Sequence, residues 1–245
     1  MQKSSILGLV SGIALATLGT ASAVQAAIVT VPTGLNPGDK YRLVFVTSGN
    51  RFATSTNIAD YNTFVTNAVA GSALQSSLTA SGLNPTWTAI GSTASVNAKT
   101  NTLTDPVANA STSVPIYLID GNKVATGYGD LWDGSILTPI STDENGSFGF
   151  YSVWTGTNSV GNGANVLGSA GITAQTTYGD STLNGVEWVN LGEASPSVDF
   201  SLYGMSSVLT VQGAQPQPVP EPSSLLGYIT LGSLMLGGAI RRAKK

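Results

Sequence analysis

Hydrophobic positions along the chain fall into two periods. Tyr41–Thr47 (YRLVFVT) is a run of β-branched and aromatic residues that predicts a strand, opened by a turn at Pro37-Gly38-Asp39. In the next apolar segment the spacing lengthens: Ile58, Tyr61, Val65, Ala68 and Val69 share one helical face. Ile58–Ala70 is therefore predicted as a helix, with Ser55, Thr56 or Asn57 as its cap and Gly71 as its stop. Ser72–Leu78 predicts a second, shorter helix. The later apolar segments are short and bounded by turn residues. Trp87–Ile90, Phe148–Trp154, Gly185–Leu191 and Ser206–Val211 predict strands. Ile116–Asp120, an Asp120-Gly121-Asn122-Lys123 turn and Val124-Ala125 predict a hairpin. Gly156–Gly171 is rich in Gly, Asn and Ser and long enough to mark a functional or mobile surface loop. No internal repeat is present. A strand, one or two helices and then many short strands predict an α+β fold: a β-rich single domain with one or two N-terminal helices and long loops. A β-sandwich is the alternative, and it leaves the helical period of Ile58–Ala70 without explanation.

The two ends follow a different pattern. Met1-Gln2-Lys3 is a short positive segment, Ile6–Leu18 is apolar, and small residues follow. Ala21-Ser22-Ala23 and Val24-Gln25-Ala26 both satisfy a small-x-small rule, so residues 1–26 read as a signal peptide cut by signal peptidase between Ala26 and Ala27. An uncleaved anchor is the competing reading, but Ile6–Leu18 is short for a membrane span. Near the other end, residues 214–222 (AQPQPVPEP) form a stiff Pro-rich linker. Residues 223–240 are an apolar, glycine-punctuated run of about 18 residues; a helix there, at ~1.5 Å per residue, is about 27 Å long and crosses a bilayer core. Residues 241–245 (RRAKK) form a basic end that resists translocation and stays cytoplasmic. Residues 27–213 are left as one exported globular domain, large enough for one sizeable core.

The sequence Pro220-Glu221-Pro222, then an apolar helix, then a basic end resembles the PEP-CTERM sorting signal of bacterial exported proteins. The resemblance covers about a tenth of the chain. It implies a membrane-embedded exosortase as partner, acting near Pro220, Glu221 and Pro222. It also implies an inner-membrane-anchored precursor that ends at the cell surface or in the extracellular matrix. Four stretches of the domain resemble the bacterial and endostatin-like branch of the C-type-lectin-like fold. They are Tyr41–Thr47 leading into Ile58–Ala70; Trp87-Thr88-Ala89-Ile90 with Asn97-Ala98; Ile116–Gly121 followed by Leu131-Trp132-Asp133-Gly134; and Val153–Thr157. Many members of that family are braced by disulfides, and this chain has no Cys. It also lacks the glutamate-proline-asparagine sugar motif of true lectins, so the likeness of fold does not carry sugar binding.

Composition narrows the chemistry. With no His and no Cys, the chain has no Ser-His-Asp or Cys-His relay, no thiolate and no ordinary zinc site. No Ser-x-x-Lys spacing or P-loop Lys occurs. Residues 27–213 carry 12 acids and 5 bases, a net charge of about −7, and no Lys or Arg lies between Lys123 and Arg241. Nucleic acid is thereby excluded as a partner, since phosphate neutralisation needs clustered cations. A cation suits the domain better.

Asp120, Asp130, Asp133, Asp143 and Glu144 are the candidate calcium ligands, because calcium takes several carboxylate and carbonyl oxygens from loops. The competing reading gives these acids turn-forming work alone. Trp132, between two Asp in a Gly-flanked loop, is the candidate exposed aromatic for stacking on a sugar. Glu187, Glu193, Glu144 and several Asp are the carboxylates available to a glycosidase, although Glu187 beside Trp188 also fits a surface position on an alternating strand. These readings converge on a non-enzymatic surface or matrix protein that binds extracellular polysaccharide with help from calcium. An extracellular carbohydrate hydrolase and a purely structural matrix protein are the alternatives.

Overall fold

The computed structural model describes residues 27–213. The signal peptide up to Ala26, the Pro220-Glu221-Pro222 motif and the apolar run 223–240 lie outside the described residues. Along the chain come β1 (Lys40–Val46), helices α1 (Ile58–Val69) and α2 (Ala73–Ala80), β2 (Trp87–Ala89) and a short α3 (Ala98–Asn101). A hairpin follows, β3 (Ile116–Leu118) and β4 (Lys123–Ala125), then a one-turn α4 (Tyr128–Leu131). The second half carries β5 (Ser152–Trp154), β6 (Thr176–Asp180), β7 (Gly192–Ala194), β8 (Tyr203–Ser206) and β9 (Leu209–Thr210). The architecture is mixed α+β. One six-stranded sheet has the order β2-β8-β1-β3-β4, with β9 also on β1, and a separate three-stranded sheet has the order β5-β6-β7.

β1 is central because its sequence is apolar on both faces. Every residue of the strand after Lys40 is buried. Tyr41, Leu43 and Phe45 point into one core with Tyr61, Val65, Leu74 and Leu78 of the two helices. Val44 and Val46 point into a second core with Ile116, Leu118, Tyr128, Trp188 and Tyr203. β3 runs parallel to β1 (Val44 opposite Leu118), whereas β8 and β9 run antiparallel (Val44 opposite Met205, Tyr41 opposite Leu209).

The helices cover the first core for reasons visible in the chain. Asn57 caps α1 by accepting from the Ala59 N–H at 3.1 Å, and Tyr61, Val65 and Val69 form its buried stripe. Ser72 caps α2 through the Gln75 N–H, and Leu74 and Leu78 are its buried pair. A Cβ on Gly204 of β8 would lie 2.5 Å from both Phe45 and Val65, so this glycine sets how closely α1 approaches the sheet. Helix on sheet replaces the β-sandwich alternative.

Several elements differ from expectation. Gly185–Leu191 is not a strand; it contains a 3-10 turn at Val186–Trp188. The Trp188 carbonyl packs onto β6 so tightly that a Cβ on Gly179 would sit 2.1 Å from its oxygen. Phe148–Trp154 is a strand only from Ser152 onward, and Phe148 and Phe150 are exposed, edge to face, 5.8 Å apart. Ser206–Val211 is broken at Ser207-Val208 into the end of β8 and the start of β9. Gly156–Gly171 has no regular element, yet Thr157 and Leu167 are buried and Leu167 donates to the Ser92 carbonyl, so the loop lies against the body. Among the described residues no helix is long and apolar enough to cross a membrane.

Two predictions test this packing. Trp154 and Trp188 are both fully buried, but Trp154 Nε1 donates to the Arg51 and Val198 carbonyls whereas Trp188 Nε1 has no partner. Trp154→Phe removes two hydrogen bonds that anchor the indole, and Trp188→Phe removes an orphan donor. Trp154→Phe is expected to cost about 1–2 kcal/mol more than Trp188→Phe in urea unfolding. Burial raises the Tyr41 and Tyr61 hydroxyls to about 12, and burial with the neighbouring Asp143 raises Tyr151 to about 12. In the unfolded chain these phenols ionise near pH 10, so their contribution is whole below about 10 and is lost as pH rises through about 12. Melting temperature, followed by circular dichroism, is expected to fall across that window.

Candidate functional site

The five acids of the proposed calcium cluster are each held by donors of the chain itself. Asp120 accepts from the backbone and side-chain amides of Asn122, both at 2.9 Å. Asp130 accepts from the Thr126 N–H and hydroxyl at 2.6 and 2.8 Å, and Asp133 from the Ser135 N–H at 3.2 Å. Asp143 and Glu144 are buried. One Asp143 oxygen takes the N–H groups of Asn145 and Ser147, and the other takes the Tyr151 hydroxyl. Glu144 accepts from the Ser48 N–H at 2.9 Å and from the Ser48 hydroxyl, while its carbonyl accepts from Leu74. It thereby ties the exit of β1 to the first turn of α2. Among the described residues no three Asp or Glu gather as a group able to hold a metal ion. The backbone, needing acceptors in these tight turns, has taken up the carboxylates.

Trp132 is not an exposed platform. It is 4% exposed, stacks 5.8 Å from Trp188 and donates to the Thr104 hydroxyl at 2.9 Å. Glu187 lies on the 3-10 turn beside buried Trp188, and Glu193 is exposed on β7, where it accepts from the Asn165 amide.

The feature that sequence reasoning passed over is Arg42. It sits within β1 on the same face as Val44, where apolar residues would pack, and is only 4% exposed. Its guanidinium makes three protein hydrogen bonds, all to neutral groups. Nε donates to the Tyr128 hydroxyl at 3.0 Å; Nη1 donates to the Thr102 and Ser206 carbonyls at 2.8 and 3.0 Å. The Ser206 carbonyl is free for Arg42 because the strand breaks there into β8 and β9. Nη2 has no hydrogen bond to any described residue, and it is not sealed from solvent, since Trp188 Nε1 is the one sealed side-chain atom without a partner among those residues. No carboxylate pairs with it: the only ion pair among the described residues is Lys99–Asp105, at 3.3 Å. Backbone N–H donors from Ala108 and Val107 hold the Asp105 carboxyl below the usual range, with Lys99 adding to the effect.

Arg42 forms part of the wall of a cleft of about 310 Å³ at this strand break. Thr88, Asn101, Asn109, Thr112 and Ser207 also line it, and no acid does. Asn101 is fixed by a reciprocal amide pair with Asn62, and together the two satisfy the free edge of β2 at Ala89. At the lip, Leu103 adopts a left-handed backbone (φ 55°), a conformation that is unfavourable for a side chain of this kind. An adjoining hollow of about 320 Å³ shares Thr112 and Val208 with the cleft and is lined by Lys40, two residues before Arg42 on the same face of β1.

No protein-family model matches the chain, and no curated protein matches it.

The carboxylates of the turn cluster are expected to act in stability and not in metal binding. Glu144→Ala, which removes both charge-assisted bonds that tie exposed Ser48 to the buried carboxylate, is expected to cost about 2 kcal/mol in thermal or urea unfolding. Melts in excess calcium and in chelator are expected to coincide, whereas an ion present at 100 times its dissociation constant would add roughly 2.7 kcal/mol.

Proposed function

We propose that the chain is an exported, non-enzymatic protein of the cell surface or extracellular matrix, delivered by a PEP-CTERM-type tail and acting as a polysaccharide-binding module. The observation that carries this reading is the tail: Pro220-Glu221-Pro222, an apolar run of helix length and a basic end, in that order. An N-terminal segment of signal-peptide pattern agrees with it. Signal peptidase removes residues 1–26, the run 223–240 holds the precursor in the inner membrane, and an exosortase acts near the motif. An inserted helix is close to irreversible as an anchor, so cutting beside it converts an anchored protein into one free to be released or re-attached. A C-type-lectin-like fold for the domain is supported by β1 leading into α1 and by the β3–β4 corner preceding α4 and Trp132. Binding in place of catalysis is supported by a cleft that holds hydroxyls, amides and a cation but no acid.

The test replaces Pro220, Glu221 and Pro222 with alanine in a host that has the sorting enzyme, and reads the intact mass of the accumulated protein. The wild-type chain is expected to lose the segment after the motif, and the variant to keep it and stay in the membrane fraction. Equal masses would sink the sorting reading and leave a permanent anchor.

A further inference from the structure

We propose that the Arg42 cleft is an oxyanion site, and that it receives the carboxylate of an acidic sugar whose chain continues past Lys40. A buried guanidinium is costly unless its charge is answered, and the protein supplies Arg42 with neutral acceptors and the Tyr128 ring, 5.3 Å away, but no carboxylate. A purely structural role at this position is filled more cheaply by an apolar side chain, as Val44 and Val46 do on the same face. The three bonds leave Nη2 without a hydrogen-bond partner among the described residues, and Arg42 lines a cleft without acids. Nη2 offers two N–H donors, and the Ser207 hydroxyl, which accepts from the Thr86 N–H and keeps its own proton, and the Asn109 amide add neutral ones. Asn109 has no side-chain partner among the described residues.

That donor set fits an anion of one charge. A single cation lines the cleft, so a carboxylate is matched and a dianion is not. The volume is at the lower end of ligand sites, suited to one sugar-sized unit. Lys40 lies about 7 Å further along β1, in the hollow that shares a wall with the cleft. The two cations on one strand face form a short positive path in a domain that otherwise carries an excess of acids. A polymer with repeated carboxylates is attracted along this path and repelled elsewhere. The oxyanion site stands on the cleft alone; its assignment to a sugar acid rests on the surface-polysaccharide reading.

The test titrates the full chain, in mild detergent, with glucuronate, an oligo-glucuronate, glucose and acetate, followed by calorimetry. Saturable, salt-weakened binding of glucuronate is expected, with glucose weaker by roughly tenfold or more. Arg42→Gln is expected to lose roughly tenfold or more in glucuronate affinity. Because Arg42 also ties Thr102 to Ser206, a second variant leaves those bonds in place: Asn109→Asp puts a negative charge in the cleft and is expected to give a similar loss at an unchanged melting temperature. Lys40→Gln is expected to weaken the oligomer and leave the monomer unchanged. If acetate binds as tightly as glucuronate, the oxyanion site holds and the sugar assignment falls. Absence of saturable binding by glucuronate and acetate, or binding that persists in the folded variants at Arg42 and Asn109, would overturn the site. Normal trimming of the tail alongside either failure would leave the export reading intact.

Discussion

Burial of β1 on both faces is the constraint from which the rest of the structure follows. A strand with water on one face needs one covering layer; β1 needs two. The first is supplied by α1 and α2 over Tyr41, Leu43 and Phe45, and the second by the hairpin, α4 and the aromatic group of Trp132, Trp188 and Tyr203. Both edges of β1 are also occupied, by β3 on one side and by β8 and β9 on the other. Replacing a buried β1 residue therefore disturbs a core and the sheet together. Without disulfides, the domain depends on this burial and on a dense set of side-chain-to-backbone hydrogen bonds from Ser, Thr, Asn and Asp.

The sequence made β1, α1, α2 and the β3–β4 hairpin legible, because each has a local signal: an apolar run, a 3.6-residue stripe with a capping side chain, or a glycine turn. The α1 boundary is off by one residue at its C-terminus, and α2 runs two residues beyond its expected end. What was not legible depends on partners far away in the chain. β6 reads TTYGD, which has no aliphatic residue and ends in strand-disfavouring Gly-Asp, and is fixed by pairing with β5 and β7 on either side. Val186–Trp188 has strand-forming residues but is held as a turn by the close approach of its backbone to Gly179. Trp132 carries a surface signature, two flanking Asp and a following Gly, while its ring is drawn inward by Trp188 and Thr104.

The candidate site was hidden for a related reason. Acids in turns attract attention because several fall within a short stretch, but each is answered locally. Arg42 is a single charge in an apolar run and looks like an edge residue of a strand. Its significance lies in what surrounds it in space: a strand break that frees the Ser206 carbonyl, the end of α3 that presents the Thr102 carbonyl, and no acid on the cleft wall. A sequence signal existed in one form only, a lone cation inside the most hydrophobic strand of the chain.

The pairing of β1 with β8 and β9 also sets an order of events. A chain made from its N-terminus presents Lys40–Val46 early and Tyr203–Thr210 last. Until the last strands arrive, one whole edge of β1 has its hydrogen-bonding groups unanswered, and the Arg42 guanidinium lacks the Ser206 carbonyl. The native sheet cannot close from the first half of the chain alone, and the long loop between those strands makes closure slow relative to local helix formation. The domain is thus topologically timed. Its main sheet closes only when residues Tyr203–Thr210 fold back on its first strand.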